Sequence, residues 1–157
     1  MIDQNCVLLN WNVRGMNNPA RRKVVRDLCG ENRCTIIGLQ ETKMQYIDDA
    51  VVIDTLGPNF MRNDAVLPAV GTRGGALLAV HEDYYQILQT EVRQHSVSAR
   101  LQAKTGAVDW WLTVVYGPQD EQEKIAFLHE LRDFRQTITD KWLVIRDFNL
   151  IQMLTLD

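Results

Sequence analysis

The chain has 157 residues, of which 46% are hydrophobic and 24% charged. That is room for one domain, and the composition is too ordinary for a disordered tail or a fibrous repeat. The net charge of −3 gives no global pull toward nucleic acid, and no apolar run approaches the roughly 20 residues that span a bilayer.

The N-terminus carries Asp3 where a secretory leader would place basic residues and then a long apolar core, so an intracellular protein without a membrane partner is expected. Cys6, Cys29 and Cys34 cannot all pair, and none stands in a CxxC spacing. They read as reduced, buried thiols rather than zinc ligands. Charge is uneven, however. Residues 1–43 hold seven Lys or Arg against four Asp or Glu, centred on Arg21-Arg22-Lys23. Such a cluster suits either phosphate contacts or a solvated helix face.

The first apolar run, residues 6–11, ends at a Gly/Asn/Pro-rich turn and reads as a strand. Asn18 then suits an N-cap and Pro19 the first helical position. Ala20, Val24 and Leu28 recur at steps of four, and Gly30 follows as a stop signal, which predicts an amphipathic helix. Residues 35–40 form a second strand, β-branched at its start. A strand, helix, strand order allows the two strands to lie parallel. Residues 44–68 give no clear period; a short helix over 48–56 and a loop at Gly57-Pro58-Asn59 are expected there. Residues 74–80, 86–92, 97–103 and 110–116 read as a run of antiparallel strands. Asp120 and Glu123 have capping-box spacing ahead of Ile125, Leu128, Leu131 and Phe134, predicting a second amphipathic helix to about residue 138. Residues 142–145 are a last buried strand, leading into Arg146-Asp147-Phe148-Asn149.

Several lone polar residues fall just past strand ends. Asn12 leaves the first strand, Glu41 the second, and Asp147 and Asn149 the last. Parallel neighbours would bring the first two to one rim, where α/β architectures place their sites. A spacing of two points Asp147 and Asn149 to one side. Together these oxygens suit a hard cation such as Mg²⁺. Singly, each is an ordinary turn residue.

Trp11-Asn12-Val13-Arg14-Gly15, Leu39-Gln40-Glu41-Thr42-Lys43, Arg73-Gly74-Gly75-Ala76-Leu77-Leu78, Thr113-Val114-Val115-Tyr116-Gly117-Pro118 and Asp147-Phe148-Asn149 stand in that order. They resemble the motifs of the endonuclease/exonuclease/phosphatase superfamily, to which DNase I belongs. The wording of the first, second and fourth, with Asn18-Pro19-Ala20-Arg21-Arg22, most resembles the endonuclease domain of plant LINE-type retrotransposons. The resemblance implies a DNase I-like four-layer α/β/β/α sandwich and metal-dependent hydrolysis of a phosphodiester, with Mg²⁺ or Mn²⁺ as cofactor. It implies Glu41 and Asn12 at the metal and Tyr116 on the scissile phosphate, with Asp147 and Asn149 placing the water and the phosphate oxygens. DNA is the implied substrate, and the basic residues Arg14, Arg21, Arg22, Lys23 and Lys43 are the candidate contacts to it. The intact element would carry a reverse transcriptase on the same polyprotein and act in the nucleus.

This sequence departs from the pattern at two places. Arg146 stands where the family has glycine, and no Ser-Asp-His follows; His81, His95 and His129 each lack a preceding aspartate. The expectation is therefore the N-terminal part of the domain, with a second sheet lacking its C-terminal strands and activity weak or lost. A non-catalytic module that binds nucleic acid or protein is the alternative, and a phosphatase of the same superfamily is another.

Overall fold

In the computed structural model, residues 6–106, 108–117 and 120–147 are described, together with the backbone of 152–155. Asn149 lies outside the described residues. Strand β1 (Val7–Asn12) is followed by helix α1 (Pro19–Glu31), strand β2 (Ile36–Gln40), helix α2 (Asp49–Leu56) and strands β3 (Asp64–Leu67) and β4 (Ala76–Val80). Strands β5 (Tyr85–Val92), β6 (Ser96–Ala103) and β7 (Trp110–Val115) come next. Helix α3 (Glu121–Thr137), strand β8 (Lys141–Ile145) and strand β9 (Gln152–Thr155) complete the order.

Two sheets form, in the orders β3-β4-β2-β1-β9 and β5-β6-β7-β8. β1 and β2 are parallel, with Asn12 opposite Gln40, as a helical crossover requires. β7 and β8 are also parallel, joined through α3. The expected run of four antiparallel strands is divided between the sheets: β4 pairs with β2 and β3, while β5, β6 and β7 form the second sheet. Each segment alternates or is uniformly apolar on its own, so periodicity carries no information about which sheet it joins. β3 and β9 extend the first sheet and have no counterpart in the sequence reading.

The layer between the sheets is built from one face of each. Leu8, Ile36, Ala76, Leu78 and Val80 meet Val97, Ala99, Leu101, Leu112, Val114 and Ile145. Gly38 allows this approach, because a Cβ there would lie 2.3 Å from Ile145 Cδ1. On the other face of the first sheet, Leu9, Ile37, Leu39 and Leu77 pack under Val25, Cys29, Val52 and Leu56 of α1 and α2. α3 covers the outer face of the second sheet, where Phe134 packs edge-on between Trp111 and Trp142. The four layers are thus α/β/β/α, and no helix among the described residues is long and apolar enough to cross a membrane.

Both helices present faces rotated from those the spacing suggested. α1 buries Val25 and Cys29, while Val24 is exposed. α3 turns Phe127, Glu130 and Phe134 inward and leaves Ile125 and Leu128 about 60% exposed. A three-residue step drifts around a helix of 3.6 residues per turn, so the stripe from Ile125 to Phe134 cannot remain on one face. α1 runs past Gly30, and the left-handed position after it is taken by Arg33 at φ 52°. Asn18 caps α1 through Ala20 N–H, and Asp120 caps α3 through Gln122 N–H, both as the sequence indicates.

Candidate active site

The face that β1 and β2 turn toward the second sheet changes character along its length. From Leu8 and Ile36 it passes to Asn10 and Gln40, then to Asn12. Asn10 and Gln40 are both about 1% exposed, and buried amides must find partners. Gln40 Nε2 donates to Asn10 Oδ1 at 2.5 Å, and Asn10 Nδ2 donates to the carbonyl of Arg146 at 2.8 Å. One step further, Asn12 Nδ2 donates to Asp147 Oδ2 at 2.7 Å, while its Oδ1 accepts from Arg14 N–H at 3.1 Å. Residues 135 apart in sequence are thereby joined across the two sheets. The amide is a hydrogen-bond donor to a carboxylate and is held in one orientation by the turn that follows β1. Arg146 supplies its carbonyl to this network while the residue itself is exposed.

Glu41 follows Gln40 directly. It is half-buried at φ 52°, and Lys43 and Arg14 nearby have φ 56° and 51°. Side chains other than Gly, Asn and Asp rarely adopt this region, and such strain concentrates where a site over-determines the backbone. The loop is held by Gly15 N–H to the Glu41 carbonyl at 2.8 Å and Met16 N–H to the Thr42 carbonyl at 2.8 Å. From the other side, Lys43 N–H bonds to the Gly74 carbonyl at 2.9 Å, and Thr42 N–H to the Gly75 carbonyl at 3.3 Å.

The glycine pair explains itself sterically. Gly75 has φ 88°, and a Cβ on it would lie 2.3 Å from Thr42 Oγ1; Gly74 has φ 74°, and a Cβ on it would lie 3.0 Å from the Tyr116 ring. Tyr116 is therefore seated on the backbone of Gly74, and its own N–H bonds to the His95 carbonyl at 2.8 Å. His95 is fixed in turn by Glu130 of α3, whose carboxylate accepts from His95 N–H at 3.1 Å and from Ser96 Oγ at 2.6 Å. Glu130, Gln40, Asn10 and Thr42 are contributors that the sequence reading does not single out. The available signal was a polar residue two positions before Asn12, on the same face of a strand.

Three of the five sequence-predicted site residues, Asn12, Glu41 and Asp147, leave the ends of β1, β2 and β8 on this rim, and Tyr116 leaves β7 beside Gly74. The predicted basic contacts divide. Arg21 donates to the carbonyls of Val13 and Arg14, and Arg22 donates to that of Met16 while pairing with Asp54 at 3.5 Å. Both bind α1 to the β1 turn. Arg14, Lys23 and Lys43 are exposed, with Lys23 paired to Asp27 at 4.0 Å. His129 is exposed on α3.

Glu41, Asn12 and Asp147 are oxygen donors, the chemistry that a hard divalent ion such as Mg²⁺ takes in company with water. Gln40 Oε1 and Thr42 Oγ1, on either side of Glu41, are buried without a hydrogen-bond partner among the described residues, so the strand end that carries Glu41 retains unspent oxygen there. No cluster of three or more His, Cys, Asp or Glu able to hold a metal occurs among the described residues. The residues fit an ion that keeps much of its hydration shell, and not a zinc-like site closed by protein ligands.

No protein-family model matches the sequence, and no curated protein matches it. Solved structures do. The fold is similar to an endonuclease/exonuclease/phosphatase protein from Bacteroides vulgatus at 14% identity and a TM-score of 0.64, covering 92% of this chain and 66% of that one. It is similar to an AP endonuclease from Archaeoglobus fulgidus at 18% identity and a TM-score of 0.64, covering 92% and 58%. It is also similar to TDP2 of D. rerio, whose structure holds a single-strand DNA product, at 13% identity and a TM-score of 0.63, covering 94% and 62%. The chain spans about three fifths to two thirds of the length of these structures. It has the DNase I-like sandwich fold of the endonuclease/exonuclease/phosphatase proteins.

Proposed function

We propose that this chain carries the metal-binding and phosphate-contacting rim of a phosphodiester hydrolase, derived from the DNA-nicking endonuclease of a LINE-type retroelement. The observation that carries the reading is the Asn12 to Asp147 hydrogen bond of 2.7 Å beside the oxygens of Gln40 and Thr42 that flank Glu41 and have no partner among the described residues. A phosphodiester transition state gathers negative charge, so a site for it needs fixed donors, a carboxylate and a cation in one place. Here Asn12 would orient the Asp147 carboxylate toward an attacking water, and Tyr116 would offer its hydroxyl to a phosphate oxygen. Glu41, with Asn12, would hold the divalent ion, which when bound supplies charge stabilisation to the phosphate. Asn149 completes the proposed set by resemblance. Of the five expected contacts, Arg14 and Lys43 are exposed to meet a DNA backbone, with Lys23 at the margin; Arg21 and Arg22 serve by holding the loop.

None of the three histidines is preceded by aspartate, and His95 is buried against Phe127 and Glu130. Hydrolysis by this chain should accordingly be slow. Incubation of the purified chain with supercoiled plasmid and Mg²⁺ or Mn²⁺ should give weak nicking that Glu41→Ala abolishes. Salt-sensitive DNA binding should remain. Nicking that survives Glu41→Ala would defeat the proposal, as would a chain that neither binds nor nicks. Turnover of small phosphomonoesters in place of plasmid would move it to the phosphatase class.

A further inference from the structure

At the far end of β2 from Glu41, α1 ends in a Schellman turn. Arg33 occupies its left-handed position at φ 52°, Cys34 N–H bonds to the Cys29 carbonyl at 3.0 Å, and Arg33 N–H to the Gly30 carbonyl at 3.3 Å. Such turns usually bring two apolar side chains together at the positions linked by the longer bond. Here both positions are cysteine. A backbone hydrogen bond of 3.0 Å thus joins the two cysteines directly, and a disulfide needs their Cα atoms roughly 4.4–6.8 Å apart.

The two thiols are reduced, 4% and 3% exposed, and hydrogen-bonded to each other. They border a cleft of about 310 Å³ that is also lined by Arg26, Arg33, His81 and Tyr84. The cleft offers a small neutral oxidant a path to sulfur. Within the pair, the hydrogen bond from Cys29 pulls the Cys34 thiol below its ordinary range and pushes the Cys29 thiol up. The sulfurs are therefore unequal, one suited to attack and the other to resolve. Cys6, the third thiol, lies in the layer between the sheets, apart from the cluster that contains Cys29 and Cys34.

We propose that Cys29 and Cys34 form a two-electron redox site, in which hydrogen peroxide converts the dithiol to a Cys29–Cys34 disulfide. The Cys34 thiolate attacks one peroxide oxygen and the O–O bond breaks. The departing hydroxide takes the proton that Cys34 shed and leaves as water. Cys29 sulfur then attacks the resulting Cys34 sulfenic acid, forming the S–S bond and breaking S–O. The released hydroxide takes the Cys29 proton and leaves as a second water. The two sulfurs are oxidised by two electrons in all, and one peroxide is reduced to two waters.

The test is peroxide treatment of the full folded chain, followed by alkylation in denaturant, intact mass measurement and peptide mapping. Alkylated thiols should fall from the three of the reduced chain to Cys6 alone. The map should show a Cys29–Cys34 cross-link that a dithiol reductant reverses. Cys29→Ser should stop at a Cys34 sulfenic acid trapped by dimedone, and Cys34→Ser should give no sulfenic acid at position 29. Retention of all three thiols while circular dichroism reports a folded chain would overturn the proposal. So would a bridge to Cys6 or between molecules. The map of the unsubstituted chain decides the matter even where a serine variant does not fold.

Discussion

Two stretches of the same strand faces make the most instructive contrast in this molecule. Near the start of β1 and β2, Leu8 and Ile36 meet the second sheet through an apolar layer. A few residues on, the same faces carry Asn10, Asn12 and Gln40, tied by hydrogen bonds to Arg146 and Asp147. The dry end derives its stability from area removed from water and tolerates changes that conserve volume. The polar end is specified by individual partners, each costly to remove because the atom left behind remains buried. One pair of strands thus supplies both an anchor and a site, and the transition between them occurs within a single turn of the pleat.

Breaking the dry end should have the largest effect. Leu78→Ala, fully buried between the sheets, should cost about 2–5 kcal/mol in denaturant unfolding. Loss of under 1 kcal/mol would mean that the layers repack. At the polar end, Gly75→Ala combines a positive φ with a Cβ placed 2.3 Å from Thr42 Oγ1. It should cost about 1–3 kcal/mol and, beyond stability, remove any Glu41-dependent nicking in the fraction that remains folded. Asn10→Ala removes the acceptor of Gln40 Nε2 and the side-chain donor to the Arg146 carbonyl, and should cost about 1–3 kcal/mol. A double-mutant cycle with Gln40→Leu should recover part of that loss, since replacing both partners removes the orphaned donor.

The smallest effect sharpens the contrast from outside it. Asp64 of β3 has its carboxyl raised above 3.8, first by burial and then by the charge of Asp49. The folded state therefore holds this proton more tightly than the unfolded state does. Its contribution to stability is complete below pH 3.8 and is lost as pH rises through the raised value. Asp64→Asn should remove that slope and leave the variant more stable than the parent at neutral pH. An unchanged pH profile of thermal unfolding would rule this out. The polar rim should be unaffected by the substitution.

Much of the rim was legible because its residues stand at punctuation points. Asn12 and Glu41 follow short apolar runs, Asp147 follows another, and Gly74-Gly75 interrupts the chain just before β4. What was not legible lay inside the runs. Asn10 and Gln40 sit in segments that read simply as strands, and only their shared face turns them into a pair. Arg21 and Arg22 read as part of a basic patch, whereas their guanidinium groups are spent on backbone carbonyls and Asp54. A cation's charge is visible in sequence, and its partner is not.

By itself the sequence determined the strands and helices between 6 and 145 other than β3, their caps at Asn18 and Asp120, and the identity of the polar strand ends. These follow from local rules of period, capping and turn chemistry that act over a few residues. Tertiary structure alone decided that β4 leaves its neighbours for the first sheet and that α1 and α3 rotate to bury Cys29 and Glu130. It also joined Asn12 to Asp147 across 135 positions and paired two thiols in one turn. Those outcomes depend on which surfaces exclude water together, and that choice is made by the whole chain at once.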